Sequence, residues 1–117
     1  MSETNNRGPE LVRVDAGQGQ TFSPEPGLLR RILAHNPQMM LVEHRMEGTW
    51  VGTRHAHPHD QLVYVISGRI AVGVGNERFE AGAGTSFIVR GGVEHEARAL
   101  EPSVVLDAFT PRRDDYL

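Results

Sequence analysis

The chain has 117 residues, and 12 basic against 15 acidic side chains give a net charge of −3. It contains no cysteine and no lysine, which excludes disulfides, thiolate metal clusters, thiol nucleophiles and lysine Schiff bases. The basic side chains are all arginines spread along an acidic chain, so no nucleic-acid partner is expected. No membrane association is expected either, because no apolar run approaches the ~20 residues that span a bilayer.

Residues 1–10 are polar and rich in turn formers. This composition predicts a flexible N-terminal arm, followed by a single domain over residues 11–117. The arm lacks the basic start and the apolar stretch of a signal peptide, so we expect a cytoplasmic protein.

After the arm, the sequence consists of short apolar runs separated by Gly, Pro or Asn. In chain order these runs are Leu28–His35, Met39–Met46, Leu62–Ile66, Ile70–Val74, Thr85–Val89, His95–Leu100 and Ser103–Phe109. Many short strands with regular turn signals are typical of an all-β sandwich or barrel. The first run also fits one helical turn, although it is short for a helix and follows a Pro-Gly pair.

Four of the six histidines are concentrated at two places in the sequence: His55, His57 and His59 are close together, and His95 follows much later. On a strand, residues two apart point to the same face, so His55 and His57 present two imidazoles side by side. That is the spacing a metal ion needs from one strand, although a polar strand end at the surface would look the same. His59 follows a proline, which favours a position at the rim of the site or in support of a ligand.

These residues resemble the two sequence motifs of the cupin superfamily. His55-x-His57, three residues, Gln61, six residues and Gly68 match the first motif, with Gln in place of its Glu and the opening Gly displaced. Gly84, five residues, Arg90-Gly91-Gly92, two residues and His95 match the second, with Arg in place of its Pro and Ala in place of its final Asn.

The resemblance implies a double-stranded β-helix, or jelly-roll barrel, with a divalent transition metal (Zn, Ni, Fe or Mn) held in its mouth. It also implies the ligand set His55, His57, Gln61 and His95. Imidazole nitrogens and an amide oxygen suit such metals, and four neutral ligands would leave the ion its full charge to attract an anionic substrate. In the alternative, Gln61 turns away and three histidines bind the metal together with water.

The last apolar run alternates, so that Val105, Asp107 and Phe109 share one face. An Asp on a buried face is either paired or reactive. The ending DAFTPRRDDYL resembles a group of small bacterial cupins, some of which open the ring of 4,5-unsaturated uronates. This resemblance implies that Asp107 transfers a proton, that Phe109 lies beside the substrate and that Arg113 holds a carboxylate. An Asp107–Arg113 ion pair and a core position for Phe109 are the structural alternatives.

Val63 is expected to point into the same cavity as Gln61, at a position where a sugar-binding enzyme would carry a polar group. The apolar residue also suits an aromatic ligand, and FIVRGGVEHEARALE resembles cupins of polyketide pathways, some of which are cyclases. The leading function is therefore a metal-dependent isomerase or lyase of a small anionic molecule, uronate ring opening in particular. A polyketide cyclase, a metal-dependent dioxygenase and a small-ligand-binding protein without turnover are the alternatives. The resemblance to small cupins also implies a homodimer.

Overall fold

The computed structural model describes residues 7–117, so the predicted arm at residues 1–10 lies mostly outside the described part of the chain. The described residues form nine strands: β1 Gln20–Glu25, β2 Leu28–Asn36, β3 Met39–Met46, β4 Asp60–Ser67, β5 Arg69–Val74, β6 Glu77–Gly82, β7 Ser86–Val89, β8 His95–Ala99 and β9 Ser103–Thr110. A short 3₁₀ helix, Asp114–Tyr116, follows the last strand. Over residues 7–117, no helix has the length and apolarity needed to cross a membrane.

The strands form two antiparallel sheets. The larger has six strands in the order β1-β2-β3-β9-β4-β7, and the smaller has three in the order β6-β5-β8. Because β9 lies between β3 and β4, the last strand closes the larger sheet and brings the C-terminal residues beside the first half of the chain. The prediction of an all-β double-stranded β-helix is confirmed.

Alternation along the strands places the core between the two sheets. On β4, Val63 and Val65 are buried while Leu62, Tyr64 and Ile66 are exposed. The main buried cluster comprises Leu28, Met46, Val63, Val65, Ile70, Val72, Ala81, Ala99 and Val105. Burying each of the larger aliphatic side chains stabilises the fold by about 1.5–3 kcal/mol, so this cluster is the main source of cohesion between the sheets.

Two turns show how local sequence fixes the strand register. Between β2 and β3, the side-chain Oδ1 of Asn36 accepts hydrogen bonds from the backbone N of Gln38 at 2.9 Å and of Met39 at 3.1 Å. Such an Asx turn is a common role for asparagine. Between β4 and β5, Gly68 has a φ of +88°, and a Cβ there would collide with Ser103 and Pro102, so this position requires glycine.

The sequence-based assignment of elements missed two strands and was wrong at two other places. Strands β1 and β6 were not predicted, and the alternative of a helical turn in the first apolar run was wrong, because that run lies in β2. The segment that carries His55 and His57 is irregular, with isolated bridges from Val51 to Arg98 and from His55 to His95. It therefore runs along β8, an edge strand of the smaller sheet, without joining it as a regular strand.

Candidate metal centre

Three histidines converge at one end of the barrel. The nitrogens that His55, His57 and His95 offer as ligands all lie within 4.8 Å of one another. Backbone hydrogen bonds of 2.9 Å in both directions between His55 and His95 hold the two chain segments together. The carbonyl of His57 accepts a hydrogen bond of 2.8 Å from the backbone N of Gly92. The backbone thus links the segments of both sequence motifs.

In each of the three histidines, the ring nitrogen Nδ1 faces a backbone carbonyl oxygen. Nδ1 of His55 lies 2.9 Å from the carbonyl oxygen of Thr53. Nδ1 of His57 lies 3.0 Å from the carbonyl oxygen of His59. Nδ1 of His95 lies 2.9 Å from the carbonyl oxygen of Val93. A carbonyl only accepts hydrogen bonds, so each neutral ring carries its proton on Nδ1. Each Nε2 then presents a lone pair, and this orientation of the ring by a carbonyl is the usual support for a histidine ligand.

The chemistry of this cluster fits a divalent cation. Nε2 of His95 is buried and, among residues 7–117, has no hydrogen-bond partner, as a ligand atom facing a cation site would. Burial lowers the pKa of His57 and of His95 below the usual histidine value, and the nearby Arg113 contributes to the effect at His57. Both rings therefore stay neutral and able to ligate near pH 7. The three histidines are able to hold a metal ion.

Gln61, at the start of β4, presents its amide oxygen to the same cluster. Its Oε1 lies 3.0 Å from Nε2 of His57, while its Nε2 donates a hydrogen bond of 2.8 Å to Oδ1 of Asp107. A neutral imidazole has one N–H, so His57 cannot donate both to Gln61 and to the His59 carbonyl. With the proton on Nδ1, two lone pairs face each other, which is an arrangement that a shared cation stabilises.

Behind Gln61, Asp107 and His44 form a buried polar chain. Nε of Arg30 donates to Nε2 of His44 at 2.9 Å, so the proton of a neutral His44 is on Nδ1. That Nδ1 donates to Oδ2 of Asp107 at 2.7 Å. Asp107 is only 4% exposed and accepts one hydrogen bond at each oxygen, so neither oxygen of this buried side chain lacks a partner.

Aromatic rings and arginines line the wall next to this chain. The Arg113 guanidinium lies 4.3 Å from the ring centre of Tyr116 and 5.1 Å from that of Phe109. Nε and Nη2 of Arg113 donate to the two carboxylate oxygens of Asp115 at 3.1 and 2.7 Å. Arg113 lowers the pKa of Asp115, so this pair is ionised, and the structure places no Asp107–Arg113 hydrogen bond among the described residues.

A cavity of about 300 Å³ opens between the sheets and contains these groups. The polar residues that line it are His55, His95, Gln61, Asp107, His44, Arg30, Arg113, Glu25, Thr53 and Glu96. The rest of its lining is mostly apolar and includes Val63, as the sequence predicts. Phe109 is buried and also lines the cavity. The ring of His59 does not line it; this residue instead supplies the carbonyl that orients His57.

Sequence reasoning missed Arg30, His44 and Tyr116, all of which line the cavity. A signal was present for His44, because it alternates with Met40, Val42 and Met46 on the inward face of β3. Arg30 likewise lies between the inward Leu28 and Ile32 on β2. A charged residue in an otherwise apolar alternation is the pattern to look for.

The comparisons with known proteins agree with this fold. A family model described as a cupin domain matches residues 41–109, more than half of the chain, and the chain belongs to the cupin family.

Within that family, the pectin degradation protein KdgF of Dickeya dadantii is 33% identical over 94 residues, which cover 78% of this chain and 84% of that protein. The structure of KdgF from Halomonas sp. superposes with a TM-score of 0.85 at 38% identity, covering 91% of this chain and 98% of that one. The structure of an RmlC-like cupin from Shewanella frigidimarina superposes with a TM-score of 0.86 at 28% identity, covering 96% of this chain and 99% of that one.

Proposed function

We propose that this protein is a metal-dependent isomerase that opens the ring of a 4,5-unsaturated uronate. The observation that carries the proposal is the position of Asp107 in the cavity, joined through the Gln61 amide to a cluster of three histidines with converging lone pairs. The similarity to two KdgF proteins, one of them described as a pectin degradation protein, supports the substrate class.

His55, His57, His95 and Gln61 would hold the metal. A divalent ion at this position supplies Lewis acidity, which polarises oxygen atoms of a bound substrate. The three carbonyls behind the rings keep the ligands in one tautomer, and Asp107 keeps the oxygen of Gln61 directed at His57. The chain thus provides an oriented donor set.

The proposed reaction is an isomerisation that needs no oxidant, reductant or co-substrate. The Asp107 carboxylate removes the proton of the anomeric hydroxyl, C1–O5 breaks to give an aldehyde at C1, and the enolate left at C5 becomes a ketone when C4 receives that proton. Asp107 returns the proton it took, so atoms and charge balance. General acid–base catalysis of this kind contributes about 10²–10⁴-fold to a rate.

The test is an ultraviolet assay that follows loss of the 4,5 double bond. We expect the metal-loaded protein to remove this absorbance faster than buffer alone, and Asp107→Asn to slow the enzymatic part about 100-fold or more. Glu101→Asn, an exposed acidic position outside the cavity, is the matched control. A wild-type rate equal to that of buffer, or an undiminished rate in Asp107→Asn, would reject the proposal.

The apolar lining of the cavity favours a second candidate, cyclisation of an aromatic polyketide. Trp50 is the one tryptophan of the chain, and it lines the cavity with Val63 and Phe87. A flat phenolic ligand that quenches Trp50 fluorescence at micromolar concentration, in a protein inactive on the uronate, would favour this candidate. The homodimer and the cytoplasmic location stay predictions, and light scattering of the purified chain tests the first.

A further inference from the structure

The cavity contains two arginines with different hydrogen-bond partners. Arg113 uses Nε and Nη2 on the carboxylate of Asp115. Arg30 uses only Nε, on His44, so within residues 7–117 both of its Nη groups are without a hydrogen-bond partner. No carboxylate of the described residues lies within the 4.0 Å of an ion pair with Arg30, whereas Arg113 has Asp115 at 2.7 Å.

The Arg30 side chain is held in place on two sides. Its guanidinium carbon lies 3.7 Å from the ring centre of Tyr116 and 5.6 Å from that of Phe22, and Nε is fixed by His44. Guanidinium groups stack on aromatic faces while their edge stays available for hydrogen bonds. A planar edge held in this way is preorganised for a planar anion.

The charge of this guanidinium is poorly compensated. Burial lowers the pKa of Arg30, and the neighbouring charge of Arg113 adds to the effect, whereas Tyr116, Asp107 and Asp115 act in the opposite direction. Arginine nevertheless stays protonated at neutral pH. A half-buried cation that no carboxylate pairs with gains more from an incoming anion than one that is already paired.

We propose that Arg30 is the specificity-determining residue that binds the carboxylate of the ligand, through the two Nη groups, in the cavity that also contains Asp107. This inference rests on the proposed function for its substrate class, and it places the carboxylate on Arg30 where the sequence resemblance implied Arg113. Arg113, held by Asp115, supports the aromatic wall formed by Tyr116 and Phe109.

The test uses two saturated sugars that differ in one group, D-galacturonate and D-galactose, with binding to the metal-loaded protein measured by titration calorimetry. We expect wild type to prefer galacturonate, and Arg30→Gln to lose about tenfold or more of that preference, since it removes charge-assisted hydrogen bonds to the carboxylate. Arg30→Lys, which keeps the positive charge but lacks the two Nη groups, should retain part of the preference. Arg31→Gln, at the next position of β2, is the matched control and should retain all of it.

Arg113→Gln distinguishes the two arginines. The inference is overturned if Arg30→Gln keeps the preference, whether or not Arg113→Gln abolishes it, or if wild type does not prefer the acid. The saturated sugars cannot undergo ring opening by loss of a 4,5 double bond, so this result is independent of turnover. A protein that binds galacturonate through Arg30 but leaves the unsaturated uronate unchanged would support this inference and reject the proposed function.

Discussion

His44 donates a hydrogen bond of 2.7 Å from Nδ1 to Oδ2 of Asp107, and both side chains are buried. His44 lies opposite Val105 on β9, two residues from Asp107, so the contact depends on the pairing of β3 with β9. The same imidazole accepts a hydrogen bond from Arg30. His44 therefore sets the position of Asp107 on one side and of Arg30 on the other.

Replacing His44 with Leu should destabilise the fold by about 1–3 kcal/mol, because it leaves buried polar groups of Asp107 and Arg30 without partners. His44→Gln should recover most of this loss, since an amide both donates and accepts. Urea denaturation of the three proteins measures the difference. Equal stability of wild type and His44→Leu, or equal losses in the two variants, would contradict the proposed role of His44.

Much of the fold could be predicted from the short apolar runs and the turn residues between them, and alternation showed which residues of β4 and β9 share a face. Polarity did not show which face is buried, because the exposed face of β4 carries Leu62, Tyr64 and Ile66. Strands β1 and β6 could not be predicted in this way. Both are edge strands, and their sequences, QTFSPE and ERFEAG, are mostly polar and exposed. An edge strand has fewer neighbours to bury, so its hydrophobic pattern is weak.

The histidine cluster followed from motif spacing, because the ligands lie close together in two short segments. The position of Arg30 did not follow from the sequence. It depends on the return of the chain end, which brings Tyr116 against a strand more than 80 residues earlier. The pairing of Arg113 with Asp115, two residues on, is local, and the adjacent acidic residues were already a signal for it.

Two adjacent methionines on β3 provide a test of the strand register. Met40 is 1% exposed and packs in a cluster with Ile32, Val42 and Phe109, whereas Met39 is 55% exposed. Met40→Ala should lower the free energy of unfolding by about 2–5 kcal/mol because it leaves a cavity, and Met39→Ala should change it little. Thermal and urea unfolding measure both. Similar losses in the two variants would show that the register of β3 is wrong.

An ion-pair network around Glu96 predicts a pH-dependent contribution to stability. Oε1 of Glu96 accepts hydrogen bonds of 2.7 Å from Arg54 and 3.0 Å from Arg78, and these arginines lower the pKa of Glu96. A carboxyl group with a lowered folded-state pKa contributes stability above its unfolded pKa, and this contribution is lost as pH falls through the folded value.

Glu96→Gln should therefore melt at a lower temperature than wild type at pH 7, and the difference should shrink as the pH falls below the usual range of a glutamate. Glu101→Gln, at an exposed residue with no ion pair among residues 7–117, is the control and should follow wild type throughout. Calorimetric scans across acid pH measure both. A difference that is unchanged or grows in acid would contradict this role of the network.

The most direct measurement is the metal content of the purified chain by mass spectrometry, after incubation with divalent metals and removal of unbound ions. Wild type and His35→Ala should each retain about one ion per chain, as a site with three or four protein ligands does. His57→Ala and His95→Ala should retain almost none. Wild type that takes up no metal, or a histidine-cluster variant that retains as much as wild type, would contradict a metal centre at His55, His57 and His95.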